Sequence, residues 1–292
     1  MFYPHSSGDF TFNKNTNSAG IDLRRKRIKD SRLCDLIGKL HLDLSYSDLY
    51  LLNGVDVRLR FVRSKDQFVL NACAVDDDQP IHPYKVKIIH AGLFVKKLKI
   101  NPQISLSHAK VLANGGLAKY HIKRVVLKTF SAATGSMNIN LDSTFANQIP
   151  SRVVVALCDS DAFNGSYGKS AFEFKHYNIS SLAFHVDGVQ VPSKSFTPNF
   201  AKKAYARSYL SLYQGTNTQF DNLGPGITYD DFADGMAIWV MDLTPTPTDD
   251  ECIELYKHGA LSLSITLAQA LPNPVNIILY SIFDSCIQID KA

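Results

Sequence analysis

Polar and apolar residues alternate along much of this chain. From Asp35 the period is two: Leu36, Gly38, Leu40, Leu42 and Leu44 alternate with Ile37, Lys39, His41 and Asp43. The turn pair Asn53-Gly54 leads into VDVRLRFV, where Val55, Val57, Leu59 and Phe61 share one parity and Asp56, Arg58 and Arg60 the other. That alternation predicts a half-buried strand with a wet arginine stripe. Tyr84–Ile100 is apolar on both parities between Ile88 and Val95, so a strand covered on both faces is expected there, with lysines at its ends. Leu106–Leu112 predicts a short helix stopped by Asn114-Gly115-Gly116.

Strand patterns then follow at Tyr120–Phe130, Ser136–Leu141, Arg152–Leu157, Ile179–Val186, Val189–Val191, Met236–Leu243, Gly259–Ala268 and Val275–Ile289. Asp187-Gly188 predicts a tight hairpin between two of them. Two helical insertions are expected, near Ala201–Tyr213 and at Asp249–His258. The second has Thr248 as N-cap, acids in its first turn, Lys257 and His258 in its last, and Gly259 beyond. Many strands, few helices and no strand–helix–strand rhythm predict an antiparallel sandwich. Long decorated loops favour a jelly roll over an immunoglobulin-like sandwich.

Composition narrows the class. With 292 residues, 45% hydrophobic and 20% charged, the chain is globular with ample core. A net charge of +4 does not by itself demand a nucleic-acid partner. No apolar run is long enough to span a bilayer, and the first residues lack the pattern of a secretory signal. Cys34, Cys73, Cys158, Cys252 and Cys286 are scattered and odd in number, which argues against a disulfide framework or a zinc cluster. They suit a reducing compartment.

The search for chemistry returns little. Gly168-Lys169-Ser170 after the apolar run Val153–Leu157 has the ingredients of a phosphate-binding loop, but the required first glycine falls on Phe163 and the following chain reads as extended. Nine histidines form no metal-binding motif; His176, His185 and His258 read as structural. No Gly-x-Ser-x-Gly is present, and Asp76-Asp77-Asp78 lacks the spacing of a calcium loop. No catalytic residue, metal site or cofactor is expected. The run LRRKRIKDSR brings Arg24, Arg25, Lys26, Arg27, Lys29 and Arg32 together, a candidate for nucleic-acid contact or nuclear targeting against the plainer reading of a solvated linker.

Several segments taken together carry a resemblance. They are DLIGKLHLDL, LLNGVDVRLRFVRSKDQFVL, YKVKIIHAGLFVKKLKINPQISLSHAKVL, DAFNGSYGKSAFEFKHYNI, VDGVQVPSK, RSYLSLYQGT, DLTP and NPVNIILYSIFDSCIQID, in that order from Asp35 to Asp290. They resemble the major capsid proteins of Polinton/Maverick elements and related adintoviruses, which are virus-like DNA transposons. The resemblance implies an all-β double jelly roll, with short helical insertions and three chains in a pseudo-hexagonal capsomer. It also implies that the material resembling Asp35 is normally preceded by about half a roll, on the order of 100 residues. The domains expected are therefore a polar and basic segment over 1–34, the back half of a first roll with its connecting helix over 35–114, and a complete second roll over 115–292.

The function implied is structural: a capsid protein that associates with itself as a homotrimer and then a lattice, with a penton or minor capsid protein as a further partner. It would reside in the virion, reached from the host nucleus or cytoplasm. Trimer contacts are expected on two aromatic-bearing regions, with Phe163, Tyr167, Phe172 and Phe174 in the first and Tyr205, Tyr209 and Tyr213 in the second. The basic run would face packaged DNA. Two rivals stand beside this reading. One is a truncated or host-retained fragment with a binding or interfering role. The other is a cupin-like roll holding a metal or ligand, for which His41, His121 and His185 are the candidates.

Overall fold

A computed structural model describes residues 26–70, 84–221, 224–244 and 257–290. The strands are β1 (Ala118–Ala132), β2 (Asn138–Phe145), β3 (Arg152–Asp159), β4 (Ile179–Val186), β5 (Val189–Phe196), β6 (Ile238–Asp242), β7 (Leu261–Leu267) and β8 (Val275–Ile289). They form two four-stranded antiparallel sheets, in the orders β1-β8-β3-β6 and β2-β7-β4-β5. In each sheet the strands from the end of the chain, β8 and β7, are inserted between strands from its start. This strand order is that of a jelly roll.

Alternation explains the pairing. In β7, Leu261, Leu263, Ile265 and Leu267 are buried while Ser262, Ser264 and Thr266 are not, so one face joins the core and the other meets solvent. Strand β8 answers from the other sheet with Val275, Ile277, Leu279 and Phe283. β3 is buried on both faces: Val153, Val155 and Leu157 point into the sandwich, while Ala156 and Cys158 are also covered. It is a central strand between β8 and β6, in register from Arg152↔Ile282 to Asp159↔Val275. The helix Ala206–Gly215 packs on β6, the neighbour of β3. Its last residue lies so close to Val240 that a Cβ there would sit 2.5 Å from Val240 Cγ1.

The hairpin predicted at Asp187-Gly188 joins β4 to β5, with Val186 opposite Val189. Both turn residues have positive φ, 50° and 82°, which is why an Asp-Gly pair is needed there. β5 runs through Pro192 to Phe196, five residues beyond the predicted end. It is an edge strand, where a residue without N–H breaks no ladder. The helix predicted at Leu106–Leu112 is longer, spanning Pro102–Ala113 with Asn101 as N-cap, accepting from Gln103 N at 3.0 Å. The helix expected at Asp249–His258 lies outside the described residues as far as 256.

The chain divides into two compact units. One gathers the described residues of Met1–Leu36, Ser64–Tyr84 and Val125–Phe283; the other gathers Ile37–Arg63, Lys85–Arg124 and those of Asp284–Ala292. In the second unit the strand expectations of the sequence are corrected. Asp35–Leu44 forms no strand and is followed by a 3-10 turn at Asp43–Ser45. Val55–Val62 and Tyr84–Ile100 belong to no ladder, and most of their apolar side chains are uncovered: Phe61 is 70% exposed and Phe94 92%. The reason is physical. An alternating pattern states a preference for the pleated surface, but a strand exists only where a neighbour completes its hydrogen bonds.

Candidate functional site

The interior of the roll is filled rather than hollow. Fully buried Trp239, Phe232, Phe184, Leu182, Leu157 and Ile277 belong to one continuous apolar cluster drawn from both sheets. The cupin-like candidates are not directed into it together: His41 and His121 are exposed and His185 is half-buried. Among the described residues no group of three His, Cys, Asp or Glu side chains could hold a metal ion. No described helix is long and apolar enough to cross a membrane.

The Gly168-Lys169-Ser170 loop is tied down by carboxylates. Lys169 Nζ lies 3.0 Å from Asp159 Oδ2 and 3.0 Å from Asp161 Oδ2. Burial alone would lower its pKa, but the hydrogen bonds to Asp161 and Asp159 outweigh it and hold the ammonium above the ordinary lysine value. A lysine already matched by two carboxylates has little charge left for a phosphate. The short helix Ser160–Asn164, capped by Asp159, replaces the phosphate-loop helix and follows β3 directly. Beside it the Cys158 thiol is buried, which raises its pKa to about 11, with the charges of Asp159 and Glu173 adding to the effect.

The most distinctive cluster is aromatic. His176 stacks on Phe200 at 3.9 Å between centroids, Phe200 on Tyr205 at 5.1 Å, and Tyr205 on Tyr229 at 4.3 Å. Phe232 joins the stack to Trp239, edge-on at 5.5 Å. His176 Nδ1 accepts from Asn178 N at 2.9 Å, and burial lowers its pKa, favouring the neutral ring this bond requires. Tyr209 and Tyr213 hydroxyls lie 2.7 Å apart and both reach Ile227 O, at 2.9 and 3.2 Å. The helix Tyr229–Ala233 begins with a reciprocal cap between Thr228 and Asp231. These bonds fasten two insertions, 197–221 and 224–235, onto the roll.

The sequence-derived contact residues are therefore placed as follows. Tyr205 is 2% exposed and spends its surface inside its own chain. Phe163, Tyr167, Phe174, Tyr209 and Tyr213 are half-buried; Tyr167 donates to Tyr84 O at 2.8 Å. Phe172 is 53% exposed and meets Phe68 edge-on at 5.7 Å. Two residues of the insertions escaped the sequence reading: Phe220, 92% exposed, and Leu210, 39% exposed. A signal for the inward rings was present in the four-residue spacing of Tyr205, Tyr209 and Tyr213, which sets them on one helix face. In the basic run, Lys26, Arg27, Lys29 and Arg32 are exposed, while Arg24 and Arg25 lie outside the described residues.

In the second unit an open groove of about 740 Å³ is lined by Lys97, Leu98, Lys99, Ile100, Leu106 and Ala109 among others. Its lining includes no acidic residue, histidine or cysteine.

With this geometry set out, comparison with known proteins gives the following. No family model matches the chain. An uncharacterized Caenorhabditis elegans protein, F54H12.2, is 21% identical over 254 residues, covering 86% of this chain. The chain spans about 60% of that relative's length. Solved structures similar to parts of it include the PBCV-1 virus capsid (TM-score 0.35, 11% identity, 60% of this chain and 50% of that one). The mavirus major capsid protein (0.33, 12%, 59% and 39%) and the Faustovirus major capsid protein (0.39, 8%, 65% and 36%) are others. The strand order, rather than these partial superpositions, carries the assignment of a jelly roll.

Proposed function

We propose that the chain is a structural building block of a virus-like capsid, related to the major capsid proteins of Polinton/Maverick elements, and that it works by associating with copies of itself. The observation that carries this reading is a jelly roll whose interior is packed with aliphatic and aromatic side chains while its loops and insertions present the apolar side chains of Phe172, Leu210 and Phe220 outward. A roll filled in this way directs attention to its outer surface. Symmetric repetition of one outer contact is how such a body builds a shell. The domain plan of a partial first roll followed by a complete second one belongs to the same proposal, as does residence in the virion after passage through the host nucleus or cytoplasm. The reading assigns no reaction and no cofactor.

Three copies would form a capsomer, with a penton or minor capsid protein completing the shell. Interfaces of this permanent kind bury about 2,000 Å² or more. Phe172, Leu210 and Phe220 are the contacts this geometry favours. Tyr209 and Tyr213 would act indirectly, by shaping the insertion that presents Leu210. The basic run Arg24–Arg32 would meet packaged DNA. Sedimentation velocity on the purified chain is the test: a trimer that Phe172→Ser with Phe220→Ser converts to monomer supports the reading. A strict monomer at all concentrations overturns it.

One observation favours a second role. The uncovered apolar side chains of Val55–Val62 and Tyr84–Ile100 suit a fragment that inserts into a relative's capsid protein and interferes with its assembly. Co-purification of the chain with such a capsid protein, at the expense of shells, distinguishes it.

A further inference from the structure

The distribution of charge along the chain is uneven in a way the net charge conceals. From Gln79 to Leu141 the chain carries ten of its 31 basic residues and not one of its 27 acidic residues. Lys85, Lys87, Lys96, Lys97, Lys99, Lys110 and Lys119 are all exposed. None of them makes an ion pair to another described residue. Arg63 Nη1 donates to Val86 O, which sets a guanidinium between Lys85 and Lys87. Lys97 and Lys99 stand together on the groove beside helix Pro102–Ala113, and Lys110 follows Ala109 on that helix. Solvated lysines are ordinarily interspersed with acids, which lowers self-repulsion. The second unit as a whole holds fourteen basic residues against five acidic ones, Asp43, Asp48, Asp56, Asp284 and Asp290, so its local potential lies far above what +4 over the whole chain implies.

We infer that Lys85, Lys87, Lys96, Lys97 and Lys99 form a sequence-independent binding surface for the phosphate backbone of double-stranded DNA. The chemistry is that of a polyanion. Duplex DNA carries about one charge per 1.7 Å, and lysines that neutralise its phosphates release condensed counterions. The charges are carried on flexible lysine stems, which suit phosphate oxygens rather than the edges of bases, so affinity without sequence preference is expected. This surface is distinct from the Arg24–Arg32 run, and its existence does not depend on capsid assembly.

The test uses the full chain, a 30-base-pair duplex and two variants. One changes Lys85, Lys87, Lys96, Lys97 and Lys99 to Gln. The other changes the basic residues of Arg24–Arg32 to Gln. Each lysine that meets a phosphate contributes about −0.9 to the slope of log K against log salt, so the first variant should flatten it by about 4.5. Between 50 and 200 mM salt the unmodified chain then loses about 500-fold more affinity than the variant does. Fluorescence of the single buried Trp239 reports that the fold is intact, and sedimentation reports assembly separately. An unchanged slope in the lysine variant overturns the inference. So does loss of all binding in the Arg24–Arg32 variant, and so does competition by poly-glutamate as effective as by DNA, which would point to an acidic protein partner instead.

Discussion

Replacing Phe232 by Ala tests how the insertions are held to the roll. The ring is fully buried, 5.5 Å from Trp239, 5.9 Å from both Tyr205 and Tyr209, and 6.5 Å from Phe200. It meets the helix Ala206–Gly215 through Tyr209, the stack through Phe200 and Tyr205, and β6 through Trp239. Truncating a buried Phe costs about 3–5 kcal/mol through lost transfer energy and the cavity left behind. Edge-on and stacked neighbours place this site at the upper half of that range, since they lose aromatic contacts worth about 0.5–1.5 kcal/mol each, partly counted already. A loss of about 4 kcal/mol is expected, near a thousandfold in the unfolding equilibrium. Urea titration followed by Trp239 emission measures it directly, because the chain has one tryptophan and its neighbour is the residue removed. Phe232→Leu retains most of the volume and should cost about 1.5 kcal/mol or less. If Phe232→Ala shifts the midpoint by less than about 1 kcal/mol at unchanged slope, the cluster does not hold the insertions and the reasoning fails.

Three further outcomes are expected. Gly215→Ala, ordinarily favourable in a helix, should destabilise by about 1–3 kcal/mol, because the new Cβ would meet Val240 Cγ1 at 2.5 Å and its backbone at 2.9 Å; thermal unfolding reads the sign. Ser281→Ala should be neutral or raise stability by about 1 kcal/mol in urea titration, since the Ser281 hydroxyl is fully buried with no partner among the described residues. Cys158 has its pKa raised by folding to about 11, so its contribution is complete below about pH 9 and is lost as pH rises towards 11. The linkage amounts to about 2–3 kcal/mol, and unfolding free energies at pH 8 and 10.5 should converge partway in Cys158→Ala; an unaltered pH dependence would contradict the assigned shift.

How much of this was legible in the sequence depends on whether an element's partner lies within the described chain. β8 begins and ends where its pattern predicts, at Val275 and Ile289, because alternation there coincides with neighbours on both sides. The Asp187-Gly188 turn was legible from two residues, since positive φ at both positions leaves few alternatives. Tyr84–Ile100 misled because period and burial are separate facts: the residues prefer a sheet, and no described strand offers one. The insertions were half legible. The helix begins at Ala206 rather than Ala201 because Asn199 and Ala204 exchange backbone hydrogen bonds and Lys203 takes a φ of 52°, closing a tight turn first. The cap at Thr228 was missed since its reciprocal partner, Asp231, is shorter than the usual Glu or Gln. Which rings would meet could not be read at all, as the stack joins 176, 200, 205, 229 and 232 from separate segments.

The strand order also sets a timetable. Because β7 lies between β2 and β4, and β8 between β1 and β3, the centre of each sheet is supplied by the last part of the roll to be synthesised. Until Leu261–Leu267 and Val275–Ile289 have left the ribosome, β1 and β2 have no neighbour, and only β3 with β6 and β4 with β5 can pair, their apolar faces open. Neither sheet can close by growing outward from its first strands. A ribosome that stalls near residue 260 would therefore release a chain with two half-sheets and no centre in either, the kind of nascent species that chaperones hold.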